Sequence, residues 1–184
     1  MLSILVVVTT SRAFAVAGFL EPYVGIGQTQ VAIYTASRND YDTKDIAFGF
    51  DLGFKGGVSF DKKFFAGLDY QTGGPFNFGN TMNQAEWSTQ MIGIGVGIDY
   101  EIARFWGGYY PSETIHDGKN QLDYKGTAFK VGIGFKITKL ISTNLDISFM
   151  TLKSSTDHGV DVTDTDHLPH VQAAFTSISI PVDF

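Results

Sequence analysis

Residues 45–60 read DIAFGFDLGFKGGVSF. Ile46, Phe48, Phe50, Leu52, Phe54, Val58 and Phe60 share one parity, and Asp45, Ala47, Gly49, Asp51, Gly53, Lys55, Gly57 and Ser59 share the other. A period of two is the mark of a β-strand, whose successive side chains point to opposite faces. The faces differ in size as much as in polarity. One is large and apolar; the other is glycine, small residues and scattered charges. Which of them is turned inward decides the fold.

The alternation continues in both directions. Upstream, Leu20, Val24 and Ile26 oppose Glu21, Tyr23, Gly25 and Gly27. Asp61-Lys62-Lys63 turns the chain, and Ala66, Leu68 and Tyr70 then oppose Gly67, Asp69 and Gln71. Further on, Ile92, Ile94, Val96, Ile98, Tyr100 and Ile102 oppose Met91, Gly93, Gly95, Gly97, Asp99 and Glu101. A turn at Ala103-Arg104 leads into FWGGYY, whose aromatic residues on both parities leave its faces unassigned. Phe129, Val131, Ile133 and Phe135 oppose Lys130, Gly132, Gly134 and Lys136; Leu145, Ile147 and Phe149 oppose Asn144, Asp146 and Ser148. The last run covers about residues 170–184. Eight such runs can be counted, and none has a helical period. Short turns follow the second, fourth and sixth, while long polar stretches (35–44, 72–86, 111–121 and 152–168) separate the others. The pattern predicts an all-β fold, an eight-stranded antiparallel up-and-down barrel with short turns at one end and long loops at the other.

Volume places the apolar face outside. A barrel of this size has room for side chains that just fill it, or for one small ligand. The Phe, Ile and Leu residues of the large face would overfill it, whereas glycines let strands curl around a few long polar side chains. The small face carries Glu21, Asp51, Lys55, Asp69, Asp99, Glu101, Lys130, Lys136 and Asp146. Buried together, such charges require pairing, so an interior polar network and a plugged lumen are expected. Tyr100, Phe60, Phe64, Phe105 and Phe184 at the turn end, with Tyr34, Tyr70, Trp87, Tyr109, Tyr110 and Phe149 near the loop end, are expected to form two interfacial aromatic girdles. The opposite choice of faces would give a soluble, lipocalin-like ligand-binding barrel.

Bulk properties narrow the function classes. The chain has 184 residues, no cysteine, 21 glycines, 16 phenylalanines and a formal net charge of -6. Disulfides and cysteine-ligated zinc are excluded, and the negative charge argues against nucleic acid as a partner. A mean hydropathy of +0.04 is too low for a bundle of membrane helices. Residues 2–8 form a short apolar run followed by Ala13-Phe14-Ala15, a small-x-small cleavage pattern. Residues 1–15 are therefore expected to be a secretory signal peptide, cut after Ala15 or Ala17, and residues 16–184 a single barrel domain.

Three stretches resemble the small eight-stranded outer-membrane proteins of the OmpX and OmpA-transmembrane-domain type: PYVGIG at residues 22–27, GFKGGVSFDKKFFAGLDY at 53–70 and ISIPVDF at 178–184. The resemblance implies an integral protein of the bacterial outer membrane, in contact with outer-membrane lipids and lipopolysaccharide. It also implies that Ile178, Ile180, Val182 and Phe184 act as the signal read by the barrel-assembly machinery, with Pro181 as a departure from the pattern. It does not fix a task, since such barrels serve as anchors, adhesins, lipid-associated proteins and a few enzymes.

Other candidates are weaker. Asp157, His158, Asp161, Asp164, Asp166, His167 and His170 form an acid- and histidine-rich loop. Their spacing lacks the central Gly and terminal Glu of an EF-hand, and a solvated acidic loop is the plainer reading, so no metal or cofactor is assigned. Ser154, Ser155, Asp157 and His158 contain the residue types of a hydrolase without a motif that would hold a nucleophile against its base. A lipid-modifying enzyme is thus an alternative, and the expectation is a non-enzyme. Phe76 and Phe78 are equally suited to contact lipopolysaccharide or to fold over the barrel mouth. Outward-facing Gly56 and Ala66 leave close packing between copies, and hence a homo-oligomer, open.

Overall fold

The computed structural model describes residues 15–35, 40–78, 86–118, 121–162 and 168–184; residues 33–35, 40–45, 75–78, 86 and 161–162 are described by backbone alone. The expected signal segment lies outside the described residues except for Ala15. Ten strands form one sheet. They are β1 (Val16–Thr35), β2 (Asp40–Phe60), β3 (Phe64–Phe78), β4 (Glu86–Asp99), β5 (Ala103–Asp117), β6 (Leu122–Lys136), β7 (Ser142–Asp157), β8 (Val160–Val162), β9 (His170–Ser179) and β10 (Val182–Asp183). Every pairing is antiparallel, and each of β1 to β7 pairs with the next. β9 lies between β7 and β1, and β10 continues it along β1, so the sheet closes on itself as an eight-stave barrel. The break between β9 and β10 falls at Ile180-Pro181, where proline has no N–H to give to a ladder.

The tight turns have local causes. Lys63 N–H donates to Phe60 O at 3.0 Å, with Asp61 and Lys62 between them at φ 51 and 55. Two consecutive left-handed residues make a turn whose twist matches that of the strands it joins. At the β6–β7 turn, Thr138 Oγ1 accepts from Leu140 N at 3.2 Å and from Ile141 N at 3.1 Å. The β4–β5 connection lies about three residues earlier than the sequence suggests. β4 ends at Asp99, Tyr100 N donates to Ala103 O at 2.7 Å, and Arg104 already belongs to β5. The apolar alternation simply runs on into this turn, which is why Tyr100 and Ile102 read as strand.

A belt of outward apolar side chains circles the middle of the barrel. It includes Leu20, Val24, Phe54, Leu68, Ile94, Val96, Phe129, Ile147 and Ile178, each 40–61 % exposed. The stretches expected to be long loops are instead mostly strand, for β2 has 21 residues and β1 has 20, about twice what a tilted strand needs to cross a bilayer. Beyond the belt the pattern inverts. Trp87, Met91, Ile115, Met150, Val171 and Phe175 point inward and are buried, while Ser88, Gln90, Thr151, Lys153, Gln172 and His170 are exposed. This crown is built like a soluble barrel, with an apolar core and polar exterior. On β2, Ile46 and Phe48 keep an apolar exterior at this height. The inversion corrects the expected outer girdle. Trp87 and Tyr110 are 4 % and 1 % exposed and face inward, whereas Tyr109 and Phe149 do face out. A short polar–apolar alternation reads as loop when its apolar members are sparse, and its parity switch is invisible without knowing where the belt ends.

Candidate functional site: a charged lumen beneath an apolar crown

The inward face of the belt region is held open by glycine and filled by a few large side chains. A β-carbon at Gly53 would collide with the ring of Tyr23, one at Gly93 with Tyr110, one at Gly97 with Phe65 and one at Gly132 with Trp106. Each of these glycines is the seat of a ring or polar group reaching over from a neighbouring strand.

At the turn end, Arg104 reaches across from β5 to Glu21 of β1 and binds Asp99 Oδ2 through Nη2 at 2.7 Å. Lys136 Nζ lies 2.6 Å from Asp99 Oδ1. A cavity of about 130 Å³ opens beside Arg104, Asp99 and Lys136, and an open groove of about 630 Å³ extends from it over Lys62, Lys63, Tyr100 and Glu101. Above this mouth, Asp69 is the centre of a second cluster. It accepts from Tyr23 Oη at 2.9 Å and from Tyr110 Oη, and Lys130 Nζ lies 2.7 Å away. Lys130 also donates to Gln71 Oε1 at 2.9 Å, and Gln71 Nε2 reaches Asp51 Oδ2 at 3.3 Å. Lys55 rests over the Trp106 ring at 3.9 Å and faces Tyr23 at 5.1 Å. Asn144 Nδ2 donates to Ser179 Oγ at 2.9 Å. The one cavity described at this level, beside Lys55, Trp106 and Tyr110, is about 10 Å³, room for about one water.

Of the expected interior residues, Glu21, Asp51, Lys55, Asp69, Lys130 and Asp146 are buried in the lumen, with Asp99 and Lys136 at its mouth. Glu101 is not among them: it lies exposed in the β4–β5 turn, because β4 has already ended. Tyr23, Gln71, Arg104 and Tyr110 complete the clusters. Tyr23 and Gln71 share parity with the charged residues and were legible in principle. Arg104 was hidden by the turn boundary, and Tyr110 by the aromatic residues on both faces of β5.

The crown adds one isolated acid. Glu113 is 1 % exposed, and neither carboxylate oxygen has a hydrogen-bond partner among the described residues. Its register partners are Met91 and Gly126, and it lies above the belt, where the outward neighbours are Ser112 and Thr114. Burial pushes its pKa up to about 8. Close by, Trp87 and Tyr124 stack with centroids 5.8 Å apart.

The remaining candidates are not assembled. Ser155 is buried while Ser154 is half-buried, and His158 Nδ1 contacts Asp157 at 2.5 Å on an exposed turn with no serine partner described. Asp164, Asp166 and His167 lie outside the described residues, as do the side chains of Asp161, Phe76, Phe78 and Tyr34. Among the described residues no group of three acids or histidines is placed to hold a metal. Ile178, Ile180, Val182 and Phe184 all face outward, 54 %, 50 %, 48 % and 79 % exposed. Gly56 and Ala66 are half-buried on the same exterior.

No protein-family model matches the chain, and no curated protein matches it. Solved structures do. The attachment invasion locus protein Ail of Yersinia pestis, in complex with the heparin analogue sucrose octasulfate, superposes with a TM-score of 0.57 at 11 % identity, covering 90 % of this chain and 99 % of that one. Ail without that ligand gives 0.51 at 12 % identity, covering 88 % and 98 %. The outer membrane protein OprG of Pseudomonas aeruginosa gives 0.52 at 12 % identity, covering 90 % and 96 %. At these identities the likeness is one of fold: the chain is a closed eight-stave barrel of the kind found in small outer-membrane β-barrel proteins.

Proposed function

We propose that the protein is an integral, non-enzymatic barrel of the bacterial outer membrane, whose filled lumen blocks passage and whose rigid crown presents an interaction surface outside the cell. One observation carries this reading: the direction of the apolar face switches along the strands. Across the belt the large apolar residues face out, as lipid requires; above it they face in, as water requires. A soluble ligand-binding barrel would keep Phe54, Ile94 and Phe129 inside along its full height. The clusters around Asp69 and Asp99 block the lumen by filling it, so the barrel works as a scaffold and not as a pore. Specificity then resides in the crown and its connections, and outer-membrane lipids and lipopolysaccharide surround the belt. Ile178, Ile180, Val182 and Phe184 present an outward apolar row to the barrel-assembly machinery, and the shallow surface at Gly56 and Ala66 suits contact with a second copy.

The test is expression with its leader in a Gram-negative host, followed by fractionation and comparison of boiled with unboiled samples on a gel. Recovery in the outer membrane with a heat-dependent shift in mobility is expected. A soluble periplasmic product would overturn the membrane reading. Large stable single-channel currents in a planar bilayer would overturn the blocked lumen, and turnover of a lipid substrate would overturn the non-enzymatic role.

A further inference from the structure

The described cations are unevenly placed. Lys55, Lys130 and Arg104 are in the lumen, Lys136 is at its mouth, and Lys62, Lys63 and Lys139 sit on the turns. Only Lys125 and Lys153 stand exposed on the outer wall at the loop end, and they are neighbours. Lys125 on β6 is directly opposite Ser154 on β7, next to Lys153, where the register shifts. Neither has an ion-pair partner among the described residues. The nearby acids are engaged elsewhere: Asp123 with His116 at 2.7 Å, and Asp157 with His158 at 2.5 Å. Two like charges side by side on adjacent strands repel unless an anion lies between them.

What lies beneath the lysines gives the anion a tail. Tyr109, Phe129 and Phe149 are register partners across β5, β6 and β7, forming one outward row, 54 %, 51 % and 45 % exposed. Thr127 and Thr151 follow as the next outward pair, and then come the lysines. Four residues of strand separate Phe129 from Lys125, about 13 Å along the strand and about 10 Å in height once strand tilt is allowed for. Lysine ammonium groups can bend down part of that distance. The wall thus offers an aromatic shelf for acyl chains and a cationic pair at headgroup height.

We infer that Lys125 and Lys153, above the Tyr109–Phe129–Phe149 row, bind a phosphate of the lipid A moiety of lipopolysaccharide. This rests on the orientation proposed above, in which the loop end faces the exterior and meets the leaflet made of phosphorylated glycolipid. The site lies outside the lumen and is independent of its charge clusters.

The experiment is native mass spectrometry of the full chain folded in zwitterionic detergent. The probes are bisphosphorylated lipid A, dephosphorylated lipid A and phosphatidylglycerol, and the proteins are wild type and the K125Q/K153Q variant, each checked for folding by its heat-dependent mobility. Wild type should retain bisphosphorylated lipid A about tenfold better than the variant, as expected for removing two surface cations near a membrane. Dephosphorylated lipid A should fall to the variant's level, and phosphatidylglycerol should bind both proteins alike. Equal retention of bisphosphorylated lipid A by the two folded proteins would overturn the site. Phosphatidylglycerol retained as well as lipid A by wild type and lost by the variant would overturn lipid A as its occupant. A wild-type chain that will not fold in detergent or vesicles would instead overturn the membrane reading.

Discussion

Gly18 and Phe184 are clasped together. Gly18 N donates to Phe184 O at 2.8 Å and Phe184 N to Gly18 O at 2.9 Å. The Phe184 ring lies over Gly18, within 2.5 Å of where a β-carbon would stand. The bonds continue the β1–β10 ladder past Leu20↔Val182 and Phe19↔Asp183, so the last stave is tied to the first at the turn end. A side chain at position 18 must expel the ring from its seat. Gly18→Val is expected to cost about 1–3 kcal/mol, the usual scale for overpacking. Urea titration of the folded, heat-modifiable form should show the lowered midpoint, and Phe184→Ser should lower the yield of folded protein in the membrane fraction.

Asp69 gathers Tyr23, Tyr110 and Lys130 in a site where none of the four is more than 6 % exposed. Removing the cation paired with it strands a buried carboxylate. Lys130→Met is expected to destabilise the barrel by about 3–5 kcal/mol. The double substitution Lys130→Met with Asp69→Leu should recover part of that loss, because no unpaired charge then remains. Equal loss in the single and double variants would show that packing, not charge pairing, dominates at this site.

The seating of rings on glycines separates two classes of glycine. Gly53→Ala and Gly93→Ala drive a methyl group into Tyr23 and Tyr110 and should each destabilise by about 1–3 kcal/mol. At Gly107 the nearest atoms to a β-carbon are 3.7 and 4.0 Å away, so Gly107→Ala should be close to neutral. Equilibrium unfolding of the three variants side by side makes the comparison.

Glu113 gives the crown a pH dependence of definite sign. Its carboxyl is held at about 8, above the value of an unfolded Glu, so the folded state binds a proton that the unfolded state has released. The associated stability is complete below the unfolded pKa, declines as the pH rises from there, and is fully lost once the pH has passed about 8. Hydrogen-exchange protection factors in the crown, corrected for the intrinsic pH dependence of amide exchange, should therefore be lower at pH 9 than at pH 6. Glu113→Gln, which is permanently neutral, should flatten the difference. A wild-type profile that does not change over this interval would contradict the neutral carboxyl.

The barrel itself was legible because its cause is local. In residues 45–60 the difference between a parity of large apolar residues, interrupted at Gly56, and one of glycine, small residues and charge follows from strand geometry alone, and volume then dictates which side is outside. The charged residues of the lumen were legible for the same reason, Asp69 and Lys130 sharing the parity of Gly67 and Gly132. Glu101 was misplaced because alternation carries no information about where a strand ends and a turn begins. Backbone hydrogen bonding at Tyr100–Ala103 decides that. The crown resembles loops in the sequence because stretches such as EWSTQM and PSETIHD hold only one or two large apolar residues each. Their common purpose appears only when Trp87, Met91 and Ile115 meet Met150, Val171 and Phe175 from strands far away in sequence.

The sequence by itself therefore determined the number of staves and the outward direction of the belt, since both depend on a period of two and on side-chain size. Only the tertiary structure decided which charges meet, that Arg104 crosses the lumen to Glu21, that the apolar face switches sides above the belt, and that Lys125 and Lys153 stand together over an aromatic row. Those are relations between strands. They are set by register and closure, which bring together residues as far apart as Glu21 and Arg104, and no local pattern contains them.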